Sequence, residues 1–163
     1  MKSAIYPGSF DPITLGHIDI IERASRIFDN ITIAVIQNKS KTPFFQITER
    51  IDQITSIFKD NPKIKVEGFD GLLADYANTK KVYTIIRGLR ALTDFEYEFQ
   101  MALINRRLNT NIDTIFLMTD EKYSYLSSSA VREIAKHRGN IRDFVTANVA
   151  DAVEKKIIEL KER

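Results

Sequence analysis

The stretch YPGSFDPITLGHIDI, Tyr6–Ile20, follows the first hydrophobic run and decides how the rest of the chain is read. It packs two glycines, two prolines and a histidine into one short loop, then turns apolar at helical spacing. Pro7 and Gly8 predict the end of a strand, Asp11-Pro12 a turn, and Thr14 the N-cap of a helix with His17 in its first turn. A helix N-terminus offers unpaired N–H groups and a positive dipole end, so the stretch reads as a strand-loop-helix that attracts an anion. Gly8 lets backbone N–H groups approach a ligand, and Gly16 clears space beside it. The pattern is neither the Gly-Lys-Ser/Thr phosphate loop nor the Gly-x-Gly-x-x-Gly dinucleotide fingerprint.

Outward from this stretch, short runs rich in β-branched residues alternate with helical patterns. Five strands are predicted: Ser3–Tyr6, Ile31–Ile36, Lys63–Phe69, Val82–Arg87 and Asp113–Met118. Ile18, Ile21 and Ile27 predict a helix after the first, and Ile47, Ile51, Ile54 and Phe58 one after the second. Phe95, Phe99, Ala102, Leu103 and Leu108 follow the fourth, with Thr93-Asp-Phe-Glu96 as a capping box at the start. Helices over Ser129–His137, ending near Gly139, and Asn148–Glu162 close the chain. The alternation implies an α/β fold, Rossmann-like, with a doubly wound five-stranded parallel sheet and C-terminal helices.

The 163 residues fit a single domain spanning 1–163. A net charge of +2, from 24 basic and 22 acidic residues, argues against a dedicated nucleic-acid binder. The absence of cysteine excludes disulfides and thiolate metal sites. No run approaches the roughly 18 apolar residues of a membrane span, and "AIY" is too short for a signal-peptide core. A cytoplasmic protein without membrane or nucleic-acid partners is the expectation.

In an open parallel sheet, ligands bind beyond the carboxyl ends of the strands. Those positions carry Thr14-Leu-Gly-His17, Asn38–Lys41, Asp70–Leu73, Arg87–Arg90 and Glu121–Ser129. Taken singly, each has an ordinary explanation. His17 reads as a cap, Lys39 and Lys41 as solvated, the serines as a helix cap, and Arg87 and Arg90 as ion-pair partners of Asp94 or Glu96. Together, the lysines, arginines, hydroxyls and histidine on one sheet edge are equipment for several phosphates. Of Tyr6, Phe10, Phe44, Phe69, Tyr123 and Tyr125, one or two could flank a base. Asp11, Asp70 and Asp75 could face a magnesium ion, and one shared with substrate phosphates needs few protein ligands.

Thr14-x-Gly16-His17 resembles the Thr/His-x-Gly-His signature of the nucleotidyltransferase superfamily related to class I aminoacyl-tRNA synthetases. SSSAVR, Ser127–Arg132, resembles that superfamily's second phosphate-binding motif. With IRGLRALTDFEYE and YLSSSAVRE, the chain from Ala4 to about Asn148 resembles the bacterial phosphopantetheine adenylyltransferases. The resemblance implies transfer of the adenylyl group of ATP to 4′-phosphopantetheine, giving dephospho-coenzyme A and pyrophosphate. It implies ATP contacts from Ser9, Phe10, His17, Gly88, Leu89, Arg90, Glu98 and the loop Tyr123, Ser124, Tyr125, Leu126, Ser127, Ser128 and Ser129. Ser9, Lys41, Leu73 and Arg87 would bind phosphopantetheine, and His17 would stabilise the transition state. It further implies Mg2+ with the ATP phosphates, a homohexamer and coenzyme A as feedback inhibitor. Two positions depart from the common pattern: Ser9, where many members have threonine, and Leu15, often polar in relatives. The nucleophile is an anionic phosphate oxygen, so the lack of a nucleophile–base pair fits direct in-line attack without a covalent intermediate.

Overall fold

The computed structural model describes residues 1–37, 42–90 and 92–161. Its strands are β1 (Ser3–Gly8), β2 (Asn30–Ile36), β3 (Ile64–Phe69), β4 (Thr84–Leu89) and β5 (Asp113–Met118). The helices are α1 (Leu15–Ala24), α2 (Ile47–Phe58), α3 (Leu73–Lys80), α4 (Leu92–Leu108), α5 (Ser128–Lys136) and α6 (Ala147–Lys161). The strands form one sheet in the order β3-β2-β1-β4-β5, and every pairing is parallel. Alternating side chains serve two cores, as a sheet covered on both faces requires. Ala4, Tyr6, Ile31, Ile33, Val35 and Ile86 pack with α1, α2, α5 and α6. Ile5, Ala34 and Ile85 pack with α3 on the opposite face. No helix among the described residues is long and apolar enough to cross a membrane.

The chain departs from the sequence reading where tertiary contacts override local signals. Pro7 and Gly8 do not break β1: they pair with Ala34 and Val35 of β2. What Pro7 does break is the other ladder. The β1–β4 pairing rests on Ile5 opposite Ile85. Residues two apart on a strand face the same neighbour, so Pro7 turns toward β4 a nitrogen with no hydrogen to donate. Arg87 Nη1 donates to the Pro7 carbonyl instead, at 2.6 Å. The sheet therefore opens between β1 and β4, where the strand order reverses.

Smaller corrections follow the same logic. Ile27 lies beyond α1 and is half exposed, because Ser25 ends the helix and Phe28 takes the core position. α4 begins at Leu92, so Thr93 sits within its first turn and is not its N-cap; the Arg90–Asp94 pair ties the preceding chain to that turn. α3 has only Ala74 and Ala77 fully buried, too faint a stripe to place a helix by periodicity. β4 runs from Thr84 to Leu89, starting and ending two residues later than the expected span. α5 starts one residue earlier, at Ser128.

Ile33, on β2, is fully buried in the larger core. Ile33→Ala should cost about 2–5 kcal/mol. A lower denaturant midpoint with an unchanged m-value checks this.

Candidate active site

A cavity of about 640 Å³ opens at the split between β1 and β4, the crevice where parallel sheets bind ligands. Its wall includes Ser9, Phe10, His17, Arg87, Gly88, Arg90, Glu98 and residues 126–129, drawn from β1, α1, β4, α4 and the start of α5. The sequence thus brings most of its predicted site together. Five of the residues expected to bind ligand lie off that wall. Leu89 is buried, and Leu73 packs against the smaller core. Tyr123 ends the 3-10 turn Glu121–Tyr123 and Ser124 follows it, and neither lines the cavity. Tyr125 lies off it too, largely in solvent with its ring edge-on to Phe144. Lys39 and Lys41 fall outside the described residues. Arg132, Thr119 and Tyr97 line the cavity although no role was assigned to them; Arg132 stood within the quoted serine motif.

His17 is fixed by its own helix. The Thr14 N–H donates to Nδ1 at 3.0 Å, and the Thr14 hydroxyl lies 2.9 Å from the same nitrogen. An N–H can only donate, so Nδ1 accepts and the ring proton resides on Nε2. Nε2 lies across the ring from Thr14, and His17 lines the cavity. Burial, with the fields of Arg90 and Arg87, holds the imidazole down at about 4, from an ordinary 6.5. The Phe10 ring meets it edge-on, with centroids 5.1 Å apart. His17 is both the helix cap its position suggests and a neutral hydrogen-bond donor on the cavity wall.

Three arginines face two carboxylates around the cavity. Arg87 grips Glu98 with Nε and Nη2, at 2.6 and 2.5 Å. Burial opposes its charge, but the Glu98 carboxylate outweighs this and raises its pKa. Arg90 grips Asp94 in the same forked way, at 2.9 and 3.2 Å, and donates Nη1 to the Leu126 carbonyl. Arg132 donates to the Asp11 carbonyl. Arg90 therefore pairs with Asp94, one of its two predicted partners, while Arg87 takes Glu98. The serines cap and line at once. Ser127 accepts from the Ala130 N–H at 3.1 Å, and the Ser128 hydroxyl donates to the Pro12 carbonyl at 2.7 Å. Gly8 is indispensable for space, since a Cβ there would sit 2.8 Å from the Phe10 ring; at Gly16 the same atom would make ordinary contacts.

Among the described residues no three His, Cys, Asp or Glu side chains converge as a metal site. Asp11 turns both carboxylate oxygens to backbone, accepting from the Phe44 and Phe45 N–H groups at 2.8 Å each.

Residues 5–134 match the family described as cytidylyltransferase-like. The chain is 53% identical, over 96% of its length and 98% of the relative's, to the phosphopantetheine adenylyltransferase of Caldanaerobacter subterraneus subsp. tengcongensis. The chain belongs to the phosphopantetheine adenylyltransferase family. The enzyme of that name from Alkaliphilus metalliredigens is 54% identical over 96% of this chain and 99% of its own. Solved structures agree on the fold. The Plasmodium falciparum nicotinic acid mononucleotide adenylyltransferase complexed with NaAD superposes with a TM-score of 0.70 at 16% identity, covering 98% of this chain and 96% of its own.

The depressed pKa of His17 fixes a sign. In the unfolded chain the imidazole takes up a proton near pH 6.5, while in the fold it does so near 4. The unfolded state binds more protons between those values, so this group's contribution to stability falls as pH drops from 6.5 to 4. Nitrogen-detected NMR should show the neutral Nε2–H form of His17 unchanged from about pH 8 to about pH 5. A protonation midpoint above 6 would show the assignment to be wrong.

Proposed function

We propose that the cavity holds ATP and 4′-phosphopantetheine together and passes the adenylyl group directly between them. The activity is that of the family: products are dephospho-coenzyme A and pyrophosphate. An oxygen of the phosphopantetheine phosphate attacks the α-phosphorus of ATP. The new P–O bond forms as the bond to the bridging oxygen breaks, and that electron pair leaves with pyrophosphate. The nucleophile is already an anion, so no base must deprotonate it and no covalent enzyme intermediate is needed.

The obstacle is repulsion between two polyanions. At ~4 Å, each pair of like unit charges costs about 4 kcal/mol at an effective dielectric of 20. Arg87, Arg90, Arg132 and the start of α5 supply the opposing field at the cleft. Lys41 is assigned to the phosphopantetheine phosphate on the strength of the resemblance. The observation that carries the reading is the neutral His17 with its proton on Nε2. A fixed N–H donor stabilises charge building on the α-phosphate oxygens without reorganising during the step. Phe10 and Ser9 on one wall and Leu126–Ser129 on the other bracket the ATP. Asp94 and Glu98 are each engaged by an arginine, so magnesium fits as an ion carried mainly by the substrates' own phosphates, where it adds positive charge.

The same reading includes a cytoplasmic homohexamer inhibited by coenzyme A, a product-like molecule that shares the phosphopantetheine arm. Self-association has support on α4 and β5. Phe95 stacks on Phe99 at 5.6 Å and meets Phe116, while Leu103 and Met118 are more than half exposed. Apolar surface of this kind marks an interface. Sedimentation should find an oligomer that Phe99→Glu dissociates; a monomeric parent protein would remove this part of the proposal.

Pyrophosphate release with ATP, magnesium and each candidate acceptor in turn tests the reaction. Release with 4′-phosphopantetheine alone is expected; release with none would favour a nucleotide sensor. His17→Ala should lower kcat roughly 10²–10³-fold with little change in ATP binding. Weaker ATP binding with unchanged turnover would contradict its role.

A further inference from the structure

Arg50 stands outside every motif, yet it is the most buried charged side chain described, at 3% exposure. It lies in the first turn of α2, where the helix dipole disfavours a cation. Among the described residues no carboxylate reaches it as an ion pair. Its Nε is buried without a hydrogen-bond partner. Burial lowers its pKa, and the field of Asp11 opposes that shift. Each of these features is costly to stability, and an apolar side chain would pack the same space without them.

The guanidinium spends its hydrogen bonds on two backbone carbonyls. Nη1 donates to Ser9 at 2.7 Å and to Ile36 at 3.1 Å. Those residues stand at the carboxyl ends of β1 and β2, the edge where ligands bind. A trans peptide points its C=O and N–H in opposite directions. Holding the Ser9 carbonyl therefore directs the Phe10 N–H away from Arg50, and Ser9 and Phe10 both line the cavity. No acceptor for the Phe10 or Ser9 N–H is found among the described residues. Phe10 also sits at φ 47°, in the left-handed region that a bulky residue rarely adopts. Its ring is clamped by Tyr6 and His17, with centroids 5.4 and 5.1 Å away. The backbone at Ser9–Phe10 is thus held in an uncommon shape from both sides, by aromatic contacts and by Arg50.

We propose that Arg50 is a positioning residue for phosphate binding. By fixing the Ser9–Phe10 peptide it presents the Ser9 hydroxyl and the two N–H groups to a substrate phosphate, without touching substrate itself. The proposal rests on the cavity being the substrate site, and deepens that reading.

The test compares Arg50→Gln and Arg50→Lys with the parent, below their unfolding temperatures. Arg50→Gln should lower kcat/KM about 10²-fold, and Arg50→Lys, with charge and a donor restored, should recover part of the loss. Arg50→Gln should cost much less in a Ser9→Ala background than alone, because both changes act through one element. Titrating ATP and 4′-phosphopantetheine separately by calorimetry gives a readout independent of turnover, with binding of at least one weakened. Should Arg50→Gln not fold, Arg50→Lys and its combination with Ser9→Ala carry the comparison. Variants that melt earlier but keep parental kinetics and affinities, or losses that simply add, would overturn the proposal. A parent protein that binds ATP but releases no pyrophosphate would defeat the functional reading alone, leaving the Arg50 effect to be read on binding.

Discussion

The site depends on arginine side chains bonded to main-chain carbonyls. A parallel sheet ends in a row of loops whose carbonyls need donors when they are drawn in from solvent. Here Arg50 holds Ser9 and Ile36, Arg87 holds Pro7, Arg90 holds Leu126, and Arg132 holds Asp11. Four cations thus fix the loops that form the cleft, and three of them also line it. Guanidinium suits this double duty. Its donors lie in a rigid planar fork, so some can grip protein while the charge remains available to an anion.

Glu98 and Asp94 fit the same scheme. Each sits on α4, four residues from the other, and each takes the fork of one arginine from β4 or just beyond it. The pairs keep the arginines extended and ordered before substrate arrives, which lowers the entropy lost on binding. Phosphate groups entering the cleft would then meet a preset array, to which His17 adds a neutral donor.

Much of this was legible in the sequence. β-branched runs gave all five strands because burial on both faces leaves little room for polar residues. The edge of the sheet was legible too, since phosphate chemistry demands charge and hydroxyls that a core would exclude. Other features depended on long-range contacts and left little local trace. Arg50 resembles any basic residue in an amphipathic helix until α2 docks and buries it. Arg87 and Glu98 are 11 residues apart, beyond any helical spacing rule. Leu73 and Tyr125 lie in segments facing the right edge, but one packs inward and the other turns to solvent. The helix at Leu73–Lys80 was faint because two buried alanines make a narrow stripe.

Pro7 carries a consequence beyond its own turn. A strand ladder between β1 and β4 would otherwise run toward the sheet's end and zip the two strands shut over the place where substrates must sit. One missing hydrogen prevents it, and the carbonyl it strands recruits Arg87 to the gap. The width of the cleft and the seating of a cation beside it are therefore set by the same imino acid, before any substrate contributes.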